Sequence, residues 1–358
     1  MNKYKVCVYA ISKNEEKFVN RWVDSMSEAD KIFVLDTGST DKTVELLKER
    51  GVDVVVKKII PWRFDVARNM SLDIVDKDTD ICVCTDLDEV FEMGWRKKLE
   101  GKYDLDSRVG YTYNWHINED GITDVTFTLD KIHPRNGYSW IHPVHEVLKC
   151  ENVEKRILIN DIVLNHYPDN SKSRGSYLEL LELSVLEDSE DDRNMHYLGR
   201  EYMYYRKWNK CIETLKKHLE LPSATWKLER AASMRYIARS YLNLNEEEEA
   251  EFYYRLAIKE ASNMREGYVE LGKLYHNQGK WLKSINNLVK ALTIKEKPMV
   301  YVNEVFCWDS TIDDLLSINY YNLGLYDLAL FHINKAIKLN NDERLLNNKK
   351  IIENIINR

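Results

Sequence analysis

The pattern of hydrophobic and polar positions changes about half-way along the chain. From residue 4 to about residue 90, short runs rich in Val, Ile and Tyr alternate with segments of helical period, as in "YKVCVYAI" followed by "EEKFVNRWVDSM". Strands alternating with helices of about 10 to 15 residues are typical of βαβ units on a parallel, buried sheet. The pattern therefore predicts an α/β domain, with ligands bound at the carboxyl edge of its sheet.

Residues 95–166 follow a different pattern, in which aromatic and polar residues mix within strand-like runs such as "VGYTYNWHINEDG" and "RILINDIVLNHYPD". Runs of this kind favour antiparallel strands with one exposed face. We therefore expect an antiparallel extension of the sheet that completes a binding cleft.

The remainder of the chain is helical and repeats itself. Small and aromatic residues recur at matching spacings in four units. The matching positions are Leu198, Gly199, Tyr202, Cys211, Leu215 and His218; Ile237, Ala238, Tyr241, Ala250, Tyr254 and Ala257; Leu271, Gly272, Tyr275, Ser284, Leu288 and Ala291; and Leu316, Ser317, Tyr320, Ala329, Ile333 and Ala336. This spacing matches the tetratricopeptide repeat, and residues 342–358 are expected to form its capping helix. His218 departs from the pattern, because the other units have a small residue there.

Two domains follow from these patterns: an α/β domain over residues 1–170 and an all-α repeat domain over residues 171–358. The 358 residues are 44% hydrophobic and 31% charged, which is the profile of a folded soluble protein of about two domains rather than of a disordered chain. A net charge of −7 argues against nucleic acid as a partner. The six cysteines show no C-x-x-C spacing, and no segment has the length of a signal peptide or membrane span. These features predict a cytoplasmic protein with reduced thiols.

Candidate chemistry lies at the predicted strand ends. In "VLDTGSTDKT", Asp36 ends a strand and Gly38 permits a tight turn. A well-made strand-to-helix turn explains Gly38, but a carboxylate at Asp36 can also accept a hydrogen bond from a nucleobase or a ribose. The stretch "VYAISKNEE" lacks the glycines of a dinucleotide site, and no P-loop lysine motif occurs. Nicotinamide and P-loop chemistry are therefore excluded.

A second group of acids begins at the end of the strand "DICVCTD". Asp86 is the last residue of this stretch, Asp88 lies two residues later, and Glu89 follows. If the strand continues, both aspartates face the same side, where hard oxygen donors suit Mg²⁺ or Mn²⁺ bound with a ligand's phosphates. A solvated loop is the alternative.

The chain resembles a known family over essentially its whole length. "AISKNEEKFVNRWVDSM", "FVLDTGSTDKTVEL", "PWRFDVARNMSL", "CTDLDE" and "WIHPVHEVL" occur in this order before the repeats. Together they resemble family 2 glycosyltransferases of the GT-A fold, and within them the repeat-bearing branch that includes the sublancin S-glycosyltransferase. The resemblance implies a Rossmann-like nucleotide-sugar-binding domain followed by the repeats.

The resemblance also implies roles for individual residues. Asp36 is expected to bind the base of a nucleotide-sugar, Asp86 to lie near the ribose and donor sugar, and Asp88 to ligate a Mn²⁺ or Mg²⁺ ion. Asp65 and Arg68 correspond to the donor-side motif that begins at Trp62. His166 resembles the histidine that completes the metal site, with Asp86 and Asp88 as the other ligands.

In "WIHPVHEVL", Glu146 corresponds to the general base of inverting members, whereas Pro143 stands where a glycine-containing loop is more common in the family. A base must take the acceptor's proton as the acceptor attacks the anomeric carbon. The alternative is that His145 and Glu146 only tie the loop to the repeat domain through hydrogen bonds.

The combined prediction is an inverting, metal-dependent glycosyltransferase that uses UDP-glucose or UDP-N-acetylglucosamine and a peptide, protein or glycan acceptor. The repeat domain is expected to hold that acceptor or to form a homodimer. Alternatives are a transferase acting on cell-surface glycans or lipids, a sugar nucleotidyltransferase, and a repeat-based adaptor with a degenerate enzyme domain. The nucleotidyltransferase is disfavoured because its first loop is normally glycine-rich.

Overall fold

The computed structural model describes residues 3–117, 121, 123–169, 175 and 177–357, which divide into an α/β unit and a helical unit. The α/β unit comprises Met1–Ser184 with Met299–Tyr301, and the helical unit comprises Val185–Pro298 with Val302–Arg358. The division falls within a helix, Tyr177–Glu187. The domain boundary expected from the sequence, between residues 170 and 171, stays a prediction.

The α/β unit begins with the alternation of strands and helices that its sequence predicts. Its elements are β1 (Val6–Ser12), α1 (Glu16–Met26), β2 (Lys31–Asp36), α2 (Thr43–Glu49), β3 (Asp53–Val56), α3 (Phe64–Asp73), β4 (Ile81–Cys84), β5 (Glu89–Phe91), α4 (Trp95–Lys102), β6 (Ser107–Ile117), β7 (Thr123–Pro134), β8 (Tyr138–Ile141), β9 (Val147–Cys150), β10 (Lys155–His166) and α5 (Tyr177–Glu187).

Eight of these strands form one mixed sheet in the order β3-β2-β1-β4-β7-β6-β10-β5. Strands β1 to β4 run parallel, and β7 is antiparallel to both β4 and β6. The expected antiparallel extension is wrong for one pair, because β10 runs parallel to β6 after the chain crosses over through the hairpin β8–β9. The predicted α/β fold class is confirmed, and the register partners Ser12 and Asp36 show that β1 and β2 end at the same edge.

Two buried tryptophans fix helices α1 and α4 against this sheet. Trp22 and Trp95 are fully buried, so each indole N–H needs a partner inside the protein. Trp22 Nε1 donates to Thr85 Oγ1 at 3.0 Å, and Trp95 Nε1 donates to the Ser25 carbonyl at 3.0 Å. The Trp22 bond lies directly after β4, so it also fixes the start of the acidic stretch that follows this strand.

The helical unit consists of paired helices, as the repeat spacing predicts. The pairs are α6 (Asp192–Tyr204) with α7 (Trp208–Glu220), α8 (Lys227–Asn243) with α9 (Glu247–Glu260), α10 (Arg265–Asn277) with α11 (Trp281–Thr293), and α12 (Thr311–Asn322) with α13 (Tyr326–Leu339). A 3₁₀ turn, Val305–Cys307, precedes α12. The last helix, α14 (Glu343–Ile356), buries Leu345 and Ile352 against α13, which is the arrangement expected of a capping helix.

Small residues lie where the paired helices cross most closely. A Cβ atom added at Gly199 would lie 2.2 Å from Leu215 Cδ2, and one added at Gly272 would lie 2.9 Å from Leu288 Cδ2. Since real Cβ atoms do not approach so closely, the glycines in these helices are explained by packing rather than by turn geometry.

The state of the cysteines and the polarity of the helices can be read from the structure. All six cysteines are free thiols, and five of them are buried. Within the described ranges, every helix is either too short or too polar to cross a lipid bilayer.

Candidate functional site

The loops that follow β1 and β2 are joined by reciprocal hydrogen bonds at the carboxyl edge of the sheet. Asn14 takes a left-handed backbone (φ 55°), and its amide N–H donates to Ser39 Oγ at 2.8 Å. In return, the Thr40 N–H donates to Asn14 Oδ1 at 2.7 Å. These bonds hold the two loops together as one surface beside the strand ends.

Asp36 organises the turn after β2. It is fully buried, and its Oδ1 accepts the N–H groups of Gly38 and Ser39 at 3.0 and 2.8 Å. Its Oδ2 accepts the hydroxyls of Ser12 and Ser39 at 2.8 and 2.5 Å. The φ of 110° at Gly38 makes this turn possible. A carboxylate has about four acceptor positions, so a nucleobase would have to exchange with one of these bonds.

Asp86 and Asp88 lie on a turn rather than on a continued strand. Strand β4 ends at Cys84, and the Glu89 N–H donates back to the Asp86 carbonyl at 3.1 Å before β5 begins. The two carboxylates therefore point to different partners. The side chain of Asp86 contacts Arg68 and Lys131, whereas that of Asp88 contacts His166.

Arg68, on α3, connects two of the predicted site residues. Its guanidinium is buried, and Nη2 donates to Asp86 Oδ1 at 2.5 Å while Nε donates to Glu146 Oε1 at 2.9 Å. Burial disfavours the charge of Arg68, but the carboxylates of Asp86 and Glu146 outweigh burial and raise its pKa. The structure thus brings Arg68, Asp86 and Glu146 together as one charged group.

Lys131, on β7, is a second cation of this group. Its Nζ lies 3.4 Å from Asp86 Oδ2 and 4.0 Å from Glu89 Oε1. Burial opposes the charge of Lys131, but the two carboxylates raise its pKa and keep it protonated. Burial also opposes the ionisation of Asp86, yet Arg68 and Lys131 overcome that effect and lower the Asp86 pKa.

Glu89 forms the buried floor of the acidic turn. Its Oε1 accepts the Tyr113 hydroxyl and its Oε2 accepts the Asp86 N–H, both at 2.8 Å. Burial is the main reason that the pKa of Glu89 is raised, and the charges of Asp86 and Asp88 add to this effect while Lys131 opposes it. Glu89 therefore supports the backbone of the turn from inside the protein.

His166 ends β10 and faces Asp88. The distance from His166 Nε2 to Asp88 Oδ2 is 3.3 Å, and the ring packs on Trp115 with a centroid distance of 4.5 Å. Burial lowers the pKa of His166, but the hydrogen bond and charge of Asp88 outweigh burial and raise it overall. The predicted ligands Asp88 and His166 are therefore adjacent.

Asp88 and His166 fit a divalent cation, and Asp86 fits less well. Two ligands of one ion, each about 2.1 to 2.3 Å from it at a right angle, lie roughly 3 Å apart, which is close to the observed separation. Within the described residues, Asp86, Asp88 and His166 do not form a three-residue group within 4.8 Å. The carboxylate of Asp86 is instead neutralised by Arg68 and Lys131.

The loop that carries Glu146 connects the hairpin strands β8 and β9. His142 (φ 77°) and His145 (φ 53°) have left-handed backbone in this loop. Pro143, the residue that differs from the glycine-containing family pattern, does not. Left-handed backbone is uncommon outside glycine and is retained where the surroundings enforce it. Here the Phe64 N–H, at the start of α3, donates to the Pro143 carbonyl at 2.9 Å and holds the loop in place.

Asn69 fixes β8 to α3 with a pair of hydrogen bonds. Its Nδ2 donates to the Trp140 carbonyl and its Oδ1 accepts the Trp140 N–H, both at 2.8 Å. Trp140 Nε1 donates to Tyr9 OH at 2.9 Å, and that hydroxyl lies 2.8 Å from His133 Nε2. These buried bonds give the Glu146 loop a rigid base on the sheet.

Asp65 is placed differently from the other predicted site residues. It lies in the first turn of α3, where its carboxylate receives Nε and Nη2 of Arg63 at 3.0 and 2.8 Å. It also accepts the Val66 N–H at 2.8 Å. This side chain accepts a backbone N–H within the first turn of α3 and pairs with Arg63, while its predicted contact with a donor stays a prediction.

Comparison with known proteins finds a family match in each of the two units. Residues 7–146 match the family described as glycosyl transferase family 2, a range that ends at Glu146. The α/β unit carries a family 2 glycosyltransferase domain. Residues 237–264 match the tetratricopeptide repeat, which confirms the repeats expected from the sequence. The chain therefore joins a glycosyltransferase domain to tetratricopeptide repeats, as the sequence motifs indicate.

One curated relative is an uncharacterized glycosyltransferase of Rickettsia bellii (strain RML369-C), 32% identical over 97 residues. The match covers 27% of this chain and 32% of the relative, so the chain spans about a third of the relative's length. Two solved structures are also similar: MamA (20% identity, TM-score 0.38, 48% of this chain and 95% of that one) and a thermophilic tetratricopeptide-repeat protein of Thermus thermophilus (18%, 0.35, 51% and 91%).

Sequence reasoning missed Lys131 and the supporting role of Glu89 in the glycosyltransferase domain. Lys131 lies in "TLDKIHP", where a single lysine in a strand gives no signal of its own. A carboxyl-edge cluster of three acids, however, calls for a buried cation to balance it. Once β7 is known to lie beside β4, Lys131 is a cation on β7 that can meet this need for positive charge. A search of β7 for such a cation is the signal that could have found Lys131.

Proposed function

We propose that the chain is an inverting, metal-dependent glycosyltransferase that moves a hexose from a UDP-sugar, UDP-glucose or UDP-N-acetylglucosamine, to a peptide or protein side chain. The observation that carries the proposal is the buried Arg68, which holds Asp86 and Glu146 in one charged group beside Asp88 and His166. A group of this kind at the carboxyl edge of a parallel sheet is suited to a ligand that carries both a diphosphate and a reacting sugar.

The donor is held by charge and by the loops at the sheet edge. Arg68 and Lys131 provide the positive charge that a diphosphate requires; Arg68 is buried, Lys131 is partly buried, and neighbouring carboxylates keep both protonated. The turn that Asp36 organises lies at the ends of β1 and β2, where a nucleoside base would be accommodated. We assign the nucleobase of the donor to the turn that Asp36 organises, and the donor sugar to a position near Asp86.

Asp88 and His166 are the residues that would hold a Mn²⁺ or Mg²⁺ ion, with diphosphate oxygens completing its ligands. When bound, the ion supplies positive charge that stabilises the leaving diphosphate. Imidazole and carboxylate together suit Mn²⁺ better than Mg²⁺, which prefers oxygen ligands alone.

Glu146 is the proposed general base. Arg68 Nε donates to its Oε1, and Oε2 is the atom proposed to receive the acceptor's proton. In one displacement, the acceptor atom bonds to the anomeric carbon, the bond from that carbon to the diphosphate oxygen breaks, and the proton passes to Glu146. Attack from the face opposite the diphosphate inverts the anomeric centre.

The tetratricopeptide unit is the proposed source of acceptor recognition. Such repeats present extended helical surfaces to peptides and proteins. The acceptor is therefore proposed to be a peptide or protein, and the alternative acceptors, glycans and lipids, are outcomes that the test must separate.

The test is release of nucleotide from a panel of UDP- and GDP-sugars, with and without Mn²⁺, by the full-length protein. Metal-dependent release from a UDP-hexose that needs a higher Mn²⁺ concentration in Asp88→Asn supports the proposal. Absence of binding and release for every donor, with or without metal, would overturn it. Intact-mass analysis of proteins co-expressed with the enzyme then identifies a protein acceptor, and sugar adducts confined to lipids or glycans would contradict that part.

A further inference from the structure

His218 is the repeat residue that the tetratricopeptide pattern does not explain. The equivalent residues of the other units are Ala257, Ala291 and Ala336, and all three are buried where helix pairs cross. His218 is equally buried, with no exposed surface. A polar ring at a position that accepts alanine therefore needs a reason other than filling space.

Two further ionisable side chains meet His218 from the neighbouring helices. His196 comes from α6 and Glu229 from the first turn of α8, and both are buried. One donor atom from each of the three residues lies within 4.8 Å of the other two. Three consecutive helices thus direct two imidazoles and a carboxylate to one point inside the helical unit.

Ser233 orients both imidazoles. Its Oγ lies 2.7 Å from His196 Nδ1 and 3.0 Å from His218 Nδ1. A hydroxyl has one proton and two lone pairs, so it can accept an N–H from both rings at once. In that state, His218 Nε2 keeps its lone pair and faces the Glu229 carboxylate at 3.5 Å. Ser233 then has the role of the outer-shell acceptor that orients metal-binding histidines.

The protein contacts alone do not satisfy His218. Its Nε2 is buried and has no hydrogen-bond partner among the described residues, and the separation from Glu229 Oε1 is 3.5 Å. A buried polar atom without a partner destabilises the folded protein.

We propose that His196, His218 and Glu229 bind a Zn²⁺ ion, or a divalent transition metal of the same class, inside the helical unit. Two imidazole nitrogens and one carboxylate oxygen are a ligand set that Zn²⁺ accepts in tetrahedral geometry with one further ligand. The ion joins α6, α7 and α8 and so ties the first repeat to the second. Its role is structural, and it is separate from the metal proposed for glycosyl transfer.

The experiment uses the full-length protein with Asp88→Asn and His166→Gln, which remove the other candidate metal site. Metal content is measured after purification without added metal and after titration with Zn²⁺, and Co²⁺ is used as a spectroscopic probe of the ligands. We expect one Zn²⁺ per chain, a tetrahedral Co²⁺ spectrum and a Tm that rises with Zn²⁺. Ser233→Ala should weaken Zn²⁺ affinity about 10- to 100-fold.

Two variants and a control decide the outcome. His218→Ala restores the small residue of the other repeats, so it should fold, lose the metal and lose the Tm response to Zn²⁺. Glu229→Gln keeps the volume of the side chain and should weaken binding. His332→Ala, the control, removes a buried histidine that is paired with Asp313 and should leave the metal content unchanged. Absence of Zn²⁺ binding in the starting protein, or binding that survives in His218→Ala, would overturn the proposal.

Discussion

The guanidinium of Arg68 donates from Nε to Glu146 Oε1 at 2.9 Å, across 78 residues of sequence. Its Nη2 donates to Asp86 at the same time. One buried cation is therefore shared by Glu146, the proposed general base, and Asp86, which is proposed to lie near the donor sugar. Any change at Arg68 acts on both sides of the reaction.

Replacement of Arg68 is expected to destabilise the protein as well as to inactivate it. Arg68→Ala leaves the carboxylates of Asp86 and Glu146 without their shared cation, and breaking a buried ion pair costs about 3 to 5 kcal/mol. Arg68→Lys retains the charge but cannot place two donors in a fixed fork, so it should restore stability only in part. Urea unfolding of the full chain measures both effects.

Arg50→Ala is the matched control for Arg68→Ala. Arg50 pairs with Asp24 on the protein surface, where ion pairs contribute little to stability. Equal losses of stability in Arg50→Ala and Arg68→Ala would contradict the buried role of Arg68.

Glu146→Gln separates the proposed general base from a purely structural residue. Gln keeps an oxygen that can accept from Arg68 but cannot take up a proton. We expect kcat to fall about 100- to 10,000-fold with donor affinity little changed, and Tm to fall less than in Arg68→Ala because Asp86 still pairs with Arg68. Glu151→Gln, on the exposed turn after β9, is the control and should be fully active. A Glu146→Gln variant with normal kcat, or one that loses activity only because it unfolds, would rule out the base role.

The α/β architecture and the positions of its strand ends could be predicted because they depend on local patterns. Hydrophobic alternation predicts β1 to β4, and the parallel-sheet rule then places Asp36 and Asp86 at one edge. The contacts of each carboxylate could not be predicted in the same way. Whether Asp86 faces Arg68 or His166 depends on the turn that ends β4 and on β7 beside it, and these are set by residues far apart in sequence.

In the repeats too, features that depend on local sequence could be predicted, and contacts between distant residues could not. The spacing of Gly199 and its equivalents follows from helix geometry and predicts the helix pairs. The meeting of His196, His218 and Glu229 depends on three helices at once, so the sequence shows only that His218 departs from the pattern.

Asp88→Asn and Asp86→Asn are expected to change different properties of the protein, its Mn²⁺ requirement and its Tm respectively. Asp88→Asn removes a proposed metal ligand, so the Mn²⁺ concentration for half-maximal activity should rise roughly tenfold or more while Tm stays close to that of the wild type. Asp86→Asn removes one counter-charge from Arg68 and Lys131, which then keep only Glu146 and Glu89, so Tm should fall. Thermal unfolding and Mn²⁺ titration of both variants test this contrast, and a larger loss of Tm in Asp88→Asn would contradict it.

His133 is expected to make the protein sensitive to acid. Burial lowers its pKa from 6.5 to about 3 in the folded protein. As the pH falls below 6.5, the unfolded chain takes up a proton that the folded chain refuses until about pH 3, so stability decreases over this interval. One proton corresponds to a slope of about 1.4 kcal/mol per pH unit.

Urea unfolding at several pH values between these limits measures the slope. His133→Gln and His133→Phe both remove the titrating group, and both should reduce the slope by one proton. Their absolute stabilities should differ, because Gln alone can accept a hydrogen bond from the Tyr9 hydroxyl. An unchanged slope in both variants would show that His133 is not the group that titrates.

Gly199 and Gly272 provide a matched test of the helix crossings. A Cβ at Gly199 would lie 2.2 Å from Leu215 Cδ2 and 2.4 Å from its Cγ, so the whole buried leucine must move. At Gly272 the closest approach, to Leu288, is 2.9 Å. Overpacking costs about 1 to 3 kcal/mol, whereas alanine gains about 1 kcal/mol over glycine inside a helix. Gly199→Ala should therefore lower the urea midpoint clearly and Gly272→Ala only slightly, and the reverse order would contradict the close crossing of α6 and α7.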